Sequence, residues 1–284
     1  MTTPGDAGVR PPPAPAPIAN ARMYAVTPEA EAAWMRLIAR VAAEAEVALA
    51  YAPYPAPLPL ETLWREPHLG CVQMCGYPIA LGIAEVQPIA APIPALPWAE
   101  GRAVYRSDLI VRADSPFRRL EDSFDHRLGW TVAHSHSGFN ALRHHLLPHW
   151  RARGGPLYAE VRGDLVTARR VLDSVLDGSI DIGPLDAYWH ALIARHRPDI
   201  TAGIRVLDST ALAPMPAFVA APAMPAKAVA RLREAFAAAA SRPWFAEHAE
   251  PLLIAGFAAV DHGSFATTLA WDRDAVAAGY AVPA

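Results

Sequence analysis

The stretch Gly129–Trp150, "GWTVAHSHSGFNALRHHLLPHW", holds five of the chain's eleven histidines and a compact Ser-His-Ser-Gly knot. Three chemistries compete for that knot: a metal site, a catalytic site and a cradle for an anion. Its placement decides between them. "RLGWTVA" reads as a strand ending near Ala133, and "SGFNALRHHLLPHW" as a helix starting near Gly138. His134, Ser135, His136 and Ser137 then occupy a strand-to-helix turn. Ser135 or Ser137 is a natural N-cap. The helix start adds unpaired N–H groups and the positive end of a dipole, and Gly138 allows close approach to the backbone. That combination suits an oxyanion such as phosphate, phosphonate, sulfonate or carboxylate. A plain serine cap followed by glycine explains the same letters and stays open as the alternative.

The metal and catalytic readings find less support. His134 and His136, with His144, His145 and His149, lack a His-Glu-x-x-His pattern, and no Cys–His spacing matches zinc. Cys71 and Cys75 are the only cysteines. They form neither a Cys-x-x-Cys pair nor a disulfide framework. Cys71 reads as core, and Cys75 has no identifiable base to make it a nucleophile. A Gly-x-Ser-x-Gly elbow, a P-loop and Gly-x-Gly-x-x-Gly are all missing. No metal or cofactor is implied.

Outward from the knot, strands and helices alternate, which points to an α/β fold. Before it run "RMYAVT", a helix from Pro28 capped by Thr27, "VALAY", "LGCVQM", "GYPIALG" and "VQPIAAPI". After it run "PLYAEVRG", "TARRVLDSVLDG", "SIDIGPL", "DAYWHALIARH" and "IRVLDST". The last forty residues read as helical around an apolar segment, "LLIAGFAAV". Two α/β series joined by extended segments near 105–112 and 211–220 imply two lobes with a cleft between. The expected division is 21–104 plus 213–284 for lobe 1 and 105–212 for lobe 2, behind a disordered, Pro-rich 1–20.

Ligands in open α/β sheets bind beyond the carboxyl ends of strands. Four such ends present Tyr24, Tyr77, the Ser135–Ser137 turn and Asp186. Asp186 suits an N-cap, and it suits an acceptor for a ligand amine or a protonated oxyanion. Arg106 reads as a solvated residue or as paired with Asp108 or Asp114, with a cleft-facing position as the alternative.

The order of "MYAVTPE", "GCVQMCGYPIAL", "GWTVAHSHSGFNALR" and "VLDGSIDIGPLDAY" resembles the phosphate/phosphonate-type substrate-binding proteins of ABC transporters, on the type 2 periplasmic binding fold. The resemblance covers most of 21–240. It implies that Ser135, the His136 backbone, Ser137 and Gly138 cradle the anion. It also implies that Tyr24 and Tyr77 line the opposite lobe and that Asp186 meets the ligand's polar group. One departure stands out. Where phosphonate binders carry Gly-Ser-His, this chain reads "RGDLV", keeping Gly163 with Asp164 and Leu165 after it. His134 and His136 are the candidates to supply the missing donors.

A net charge of −3 argues against a nucleic-acid partner, and no apolar run reaches the length of a membrane span. The expectation is a non-catalytic, monomeric receptor that closes over a small anion and delivers it to an ABC permease. By resemblance it is periplasmic. "MTTPGDAGVRPPPAPAPIAN" lacks a secretory h-region, which keeps a cytoplasmic ligand sensor, or an enzyme like the thiamine-pyrimidine synthases, as the alternative.

Overall fold

A computed structural model describes residues 15–284. Most of the Pro-rich segment expected to be disordered, residues 1–14, lies outside the described residues. The end of that segment is already folded, as β1 (Ile18–Asn20). "RMYAVT" is therefore not the first strand: Arg22–Tyr24 form a single 3₁₀ turn just beyond it. Asn20 helps make the turn, its Oδ1 accepting from the Arg22 N–H at 2.8 Å.

The first α/β series continues through α1 (Pro28–Glu44), β2 (Ala50–Tyr51), α2 (Leu60–Trp64), β3 (Leu69–Met74), α3 (Gly76–Leu81) and β4 (Gln87–Pro94). Helix α1 starts as its letters predict. The Thr27 hydroxyl accepts from the Ala30 N–H, and Trp34, Leu37, Ile38 and Val41 form its buried face. Strand β3 is buried along its whole length, as expected of a central strand without alternation.

The chain crosses through β5 (Val104–Tyr105) into a second series: β6 (Ser107–Arg112), β7 (Arg127–Gly129), α4 (Ala141–Arg153), β8 (Glu160–Arg162), α5 (Ala168–Leu176), β9 (Gly183–Asp186), α6 (Ala187–His196), α7 (Pro198–Thr201) and β10 (Ile204–Ser209). It returns through β11 (Ala213–Pro214) to β12 (Ala217–Ala220), α8 (Ala226–Ala238), α9 (Phe245–Ala249), β13 (Ile254–Ala259) and α10 (Ala266–Ala277).

Two sheets result. The first has six strands in the order β13-β4-β12-β3-β1-β2, with β1 parallel to both neighbours and β12 antiparallel to β3 and β4. The second has β10-β6-β9 antiparallel, joined to the parallel pair β7-β8 by a bridge between Leu128 and Ile182. The crossovers β5 and β11 pair with each other, Tyr105 opposite Ala213, so the lobes are joined by two extended strands side by side.

The tail departs from its sequence reading in two ways. "LLIAGFAAV" is an edge strand, β13, paired antiparallel with β4. The chain after it does not stay with lobe 1. Helix α10 packs against both α3 and α4, and Ala275 and Tyr280 join the lobe 2 core with Leu142, Leu146 and Leu157. The Leu157 N–H also bonds to the carbonyl of Ala284.

Candidate ligand site

The strand-to-helix knot opens as a wide turn, His136–Asn140, before α4 proper. Ser135 caps it: its hydroxyl accepts from the Gly138 N–H at 3.0 Å, and its carbonyl accepts from the Asn140 N–H at 3.0 Å. Gly138 is required for space. A Cβ there would sit 1.9 Å from Thr131 Oγ1. The Ser137 carbonyl takes the Ser107 hydroxyl at 2.8 Å, which ties the turn to the end of β6.

A cavity of about 320 Å³ lies between the lobes. Tyr24, His134, Ser135, Ser137 and Asp186 line it, and His136, Gly138 and Tyr77 do not. The structure thus brings together five of the eight residues singled out from the sequence.

Asp186 is spoken for on both oxygens. Oδ1 accepts from the Tyr188 and Trp189 N–H groups at 2.9 and 3.0 Å, capping α6. Oδ2 accepts from the Tyr24 hydroxyl at 2.8 Å, across the lobes. Burial pushes the carboxyl up to about 7, against those hydrogen bonds. His134 also reaches across. Its Nδ1 lies 3.1 Å from Glu61 Oε1 at the start of α2, and its ring stands edge-on to Trp64. Burial lowers its pKa, and Glu61 opposes that in part.

The other two named side chains do different work. His136 is 1% exposed and stacks on Trp271, with Tyr77 and Tyr105 beside it. Its Nδ1 lies 3.3 Å from Asn140 Nδ2, and burial lowers its pKa to about 3. It is a neutral core histidine and brings no charge to the cavity. The Tyr77 hydroxyl donates to Asp272 Oδ1 at 2.9 Å, and Arg143 meets the same oxygen from lobe 2. His144 stacks on Trp271, His145 pairs with Asp208 at 2.9 Å, and His149 lies 3.8 Å from Glu121. Arg106 lies 3.4 Å from Asp108. Among the described residues, no three His, Cys, Asp or Glu side chains gather as a metal site.

Sequence reasoning missed Arg22, Trp64, Thr131 and Arg169, which also line the cavity. Two of them carry a buried polar atom with no protein partner, Arg22 Nη1 and Thr131 Oγ1. Buried polar atoms are ordinarily satisfied; of those that are not, these two are the ones on residues that line the cavity. A signal existed for both: Arg22 shares a strand end with Tyr24, and Thr131 precedes the knot.

The "RGDLV" segment is explained by shape. A Cβ on Gly163 would fall 2.3 Å from the Trp130 ring, so this glycine is needed for packing. Asp164 is exposed, away from the cavity lining, and repels nothing there. Val166 does line the cavity, held at φ +67°. The Thr167 N–H closes a tight turn around it onto the Leu165 carbonyl at 2.8 Å.

The family model for "ABC transporter, phosphonate, periplasmic substrate-binding protein" matches residues 28–265. The chain belongs to this phosphonate-binding family. Solved structures agree in fold. A binding protein component of an ABC phosphonate transporter from Pseudomonas aeruginosa superposes with a TM-score of 0.75 at 14% identity, covering 91% of this chain and 86% of that one. PhnD1 of Prochlorococcus marinus, in complex with methylphosphonate, gives 0.71 at 12% identity, covering 90% and 96%. A Xanthomonas citri protein bound to ATP gives 0.64 at 18% identity, covering 92% and 98%. No curated protein matches the chain in sequence. Members of the phosphonate-binding family are non-catalytic transport components that bind a small ligand and meet a permease, and the family is periplasmic. Nothing in these likenesses favours the enzyme alternative.

Proposed function

We propose that the interlobe cavity receives a small oxyanion of the phosphonate class, which the protein carries as a monomer to an ABC permease in the periplasm. The observation that carries this reading is the pair of partnerless polar atoms, Arg22 Nη1 and Thr131 Oγ1, on residues that line the cavity with Ser135 and Ser137. A guanidinium and hydroxyls beside a helix start are donors suited to anionic oxygens. Two of the solved relatives hold ligands with phosphonyl or phosphoryl oxygens, methylphosphonate and ATP. A hinge at β5 and β11 lets the lobes close, and selectivity follows from the cost of leaving buried donors unpaired. The net charge of −3 fits a small-molecule receptor without a nucleic-acid partner.

Titration calorimetry with methylphosphonate, phosphate, phosphite, a sulfonate and amino acids tests the reading. The phosphonate is expected to bind, and Ser137→Ala to weaken it by roughly ten-fold or more, the range for a hydrogen bond to a charged group. Silence from every oxyanion at millimolar concentration overturns the proposal. Fractionation of native cells tests the compartment.

A further inference from the structure

We infer that the ligand is a phosphonate bearing a bulky apolar substituent and no amine. This rests on the cavity being the oxyanion site. Three observations on the cavity lead to it.

The first is size. About 320 Å³ is the share of roughly ten waters in the liquid. A one-carbon phosphonate fills only about a third of that.

The second is the wall. Beyond the polar groups already described, the lining is mainly apolar: Met23, Val26, Leu60, Trp64, Val166 and Trp189. Trp64 is 2% exposed, and its indole N–H is already given to the Gln73 carbonyl at 2.9 Å, so it offers the cavity only its ring. Val166 is a β-branched residue held at positive φ, a conformation that costs about 1–3 kcal/mol and recurs at ligand clamps. That conformation sets an apolar side chain on the wall. Water filling the rest of such a space finds few partners, whereas an apolar group loses nothing there.

The third is charge. Among the described residues, Asp186 is the only acid that lines the cavity, with both its oxygens engaged by Tyr24 and the start of α6, while the guanidinium groups of Arg22 and Arg169 line the same space. An ammonium group on the ligand therefore meets cations and a carboxylate already in use.

The test is a calorimetric series of methyl-, 2-aminoethyl- and phenylphosphonate against wild type, Leu60→Ala and Met23→Ala. Both substitutions fall on half-buried residues, and circular dichroism checks their folding. Phenylphosphonate is expected to bind at least ten-fold tighter than methylphosphonate. Leu60→Ala should lose about ten-fold for the phenyl ligand and little for the methyl one, at about four-fold per methylene withdrawn from contact. Met23→Ala provides the same contrast from the turn that follows β1. If methyl- or 2-aminoethylphosphonate binds as tightly as phenylphosphonate, or if both variants weaken all three ligands equally, the inference falls while the oxyanion reading stands. If none of the three binds, both fall.

Discussion

Two networks tie the lobes together, and they use the same residue types. At the front, around the cavity, Tyr24 reaches Asp186 and His134 reaches Glu61. At the back, Tyr77 and Arg143 meet at Asp272, with His136 packed alongside on Trp271. Each front residue has a counterpart behind it: Tyr24 and Tyr77, His134 and His136, Asp186 and Asp272. The difference is what fills the space between. The front surrounds a cavity, and its partnerless polar atoms, on Arg22 and Thr131, belong to residues that line it. The back packs against α10, and its own partnerless atoms, His136 Nε2 and Arg143 Nε, belong to residues that do not. Ligand chemistry and structural chemistry here are distinguished by surroundings, and residue type alone does not separate them.

The largest expected effect is at the back. Arg143 has only 4% of its side chain exposed, and Asp272 is its carboxylate partner. Removing one member of a buried pair strands the other, at about 3 kcal/mol. Asp272→Ala should lower Tm by roughly 6–12 °C in a calorimetric melt, at about 2–4 °C per kcal/mol for a chain of this size. Replacing both partners together, with Arg143→Met and Asp272→Leu, should recover part of that loss. A single variant that melts within about 2 °C of wild type would erase the contrast between the networks.

That contrast also shows how far the sequence could be read. Strand β3, helices α1, α3, α5 and α6 and the two-lobed α/β plan were legible because each is announced locally, by an apolar run, a cap or a glycine stop. "LLIAGFAAV" was not, since its strand character depends on β4, about 160 residues earlier. The same applies to Tyr77. Its letters match a ligand-facing aromatic after a strand, and only Asp272, from the far end of the chain, makes it a strut. His136 and His134 are two residues apart and face opposite surroundings, because a wide helical turn sends one ring into the interlobe packing and the other toward Trp64. Arg22 had only its place beside Tyr24 to mark it, and its partnerless nitrogen is visible only once the chain is packed.

The second effect is a pH dependence at the front. The Asp186 carboxyl titrates at about 7 when folded and near its ordinary 3.8 when unfolded. The folded state therefore holds a proton that the unfolded state has lost between those values. Stability from this group is fully present below about 3.8 and is lost as pH rises toward 7. Between pH 5 and pH 8 the loss is on the order of 2 kcal/mol. Asp186→Asn keeps an acceptor for the α6 amides, turns an amide donor toward the Tyr24 hydroxyl, which can accept it, and removes the titrating proton. Its melting temperature should change less over that range than the wild type's. Parallel curves for the two proteins would show that Asp186 is not the group that senses pH at the front.

The smallest effect expected is at the other front contact. Burial lowers the His134 pKa, so at neutral pH the imidazole is mostly uncharged and its contact with Glu61 is a hydrogen bond between partly exposed groups. Such a contact contributes about 0.5–1 kcal/mol. Glu61→Gln retains a hydrogen-bonding oxygen and should move Tm by no more than about 2 °C at pH 7.5. Its effect on binding is the sharper measurement. Glu61 is a negative charge close behind a residue of the cavity wall, so its neutralisation should leave methylphosphonate affinity unchanged or raise it slightly. A clear loss of affinity with an unchanged melt would mean that Glu61 sets the histidine's orientation toward the anion. The His134–Glu61 contact would then belong to the ligand site, in contrast to the network at Asp272.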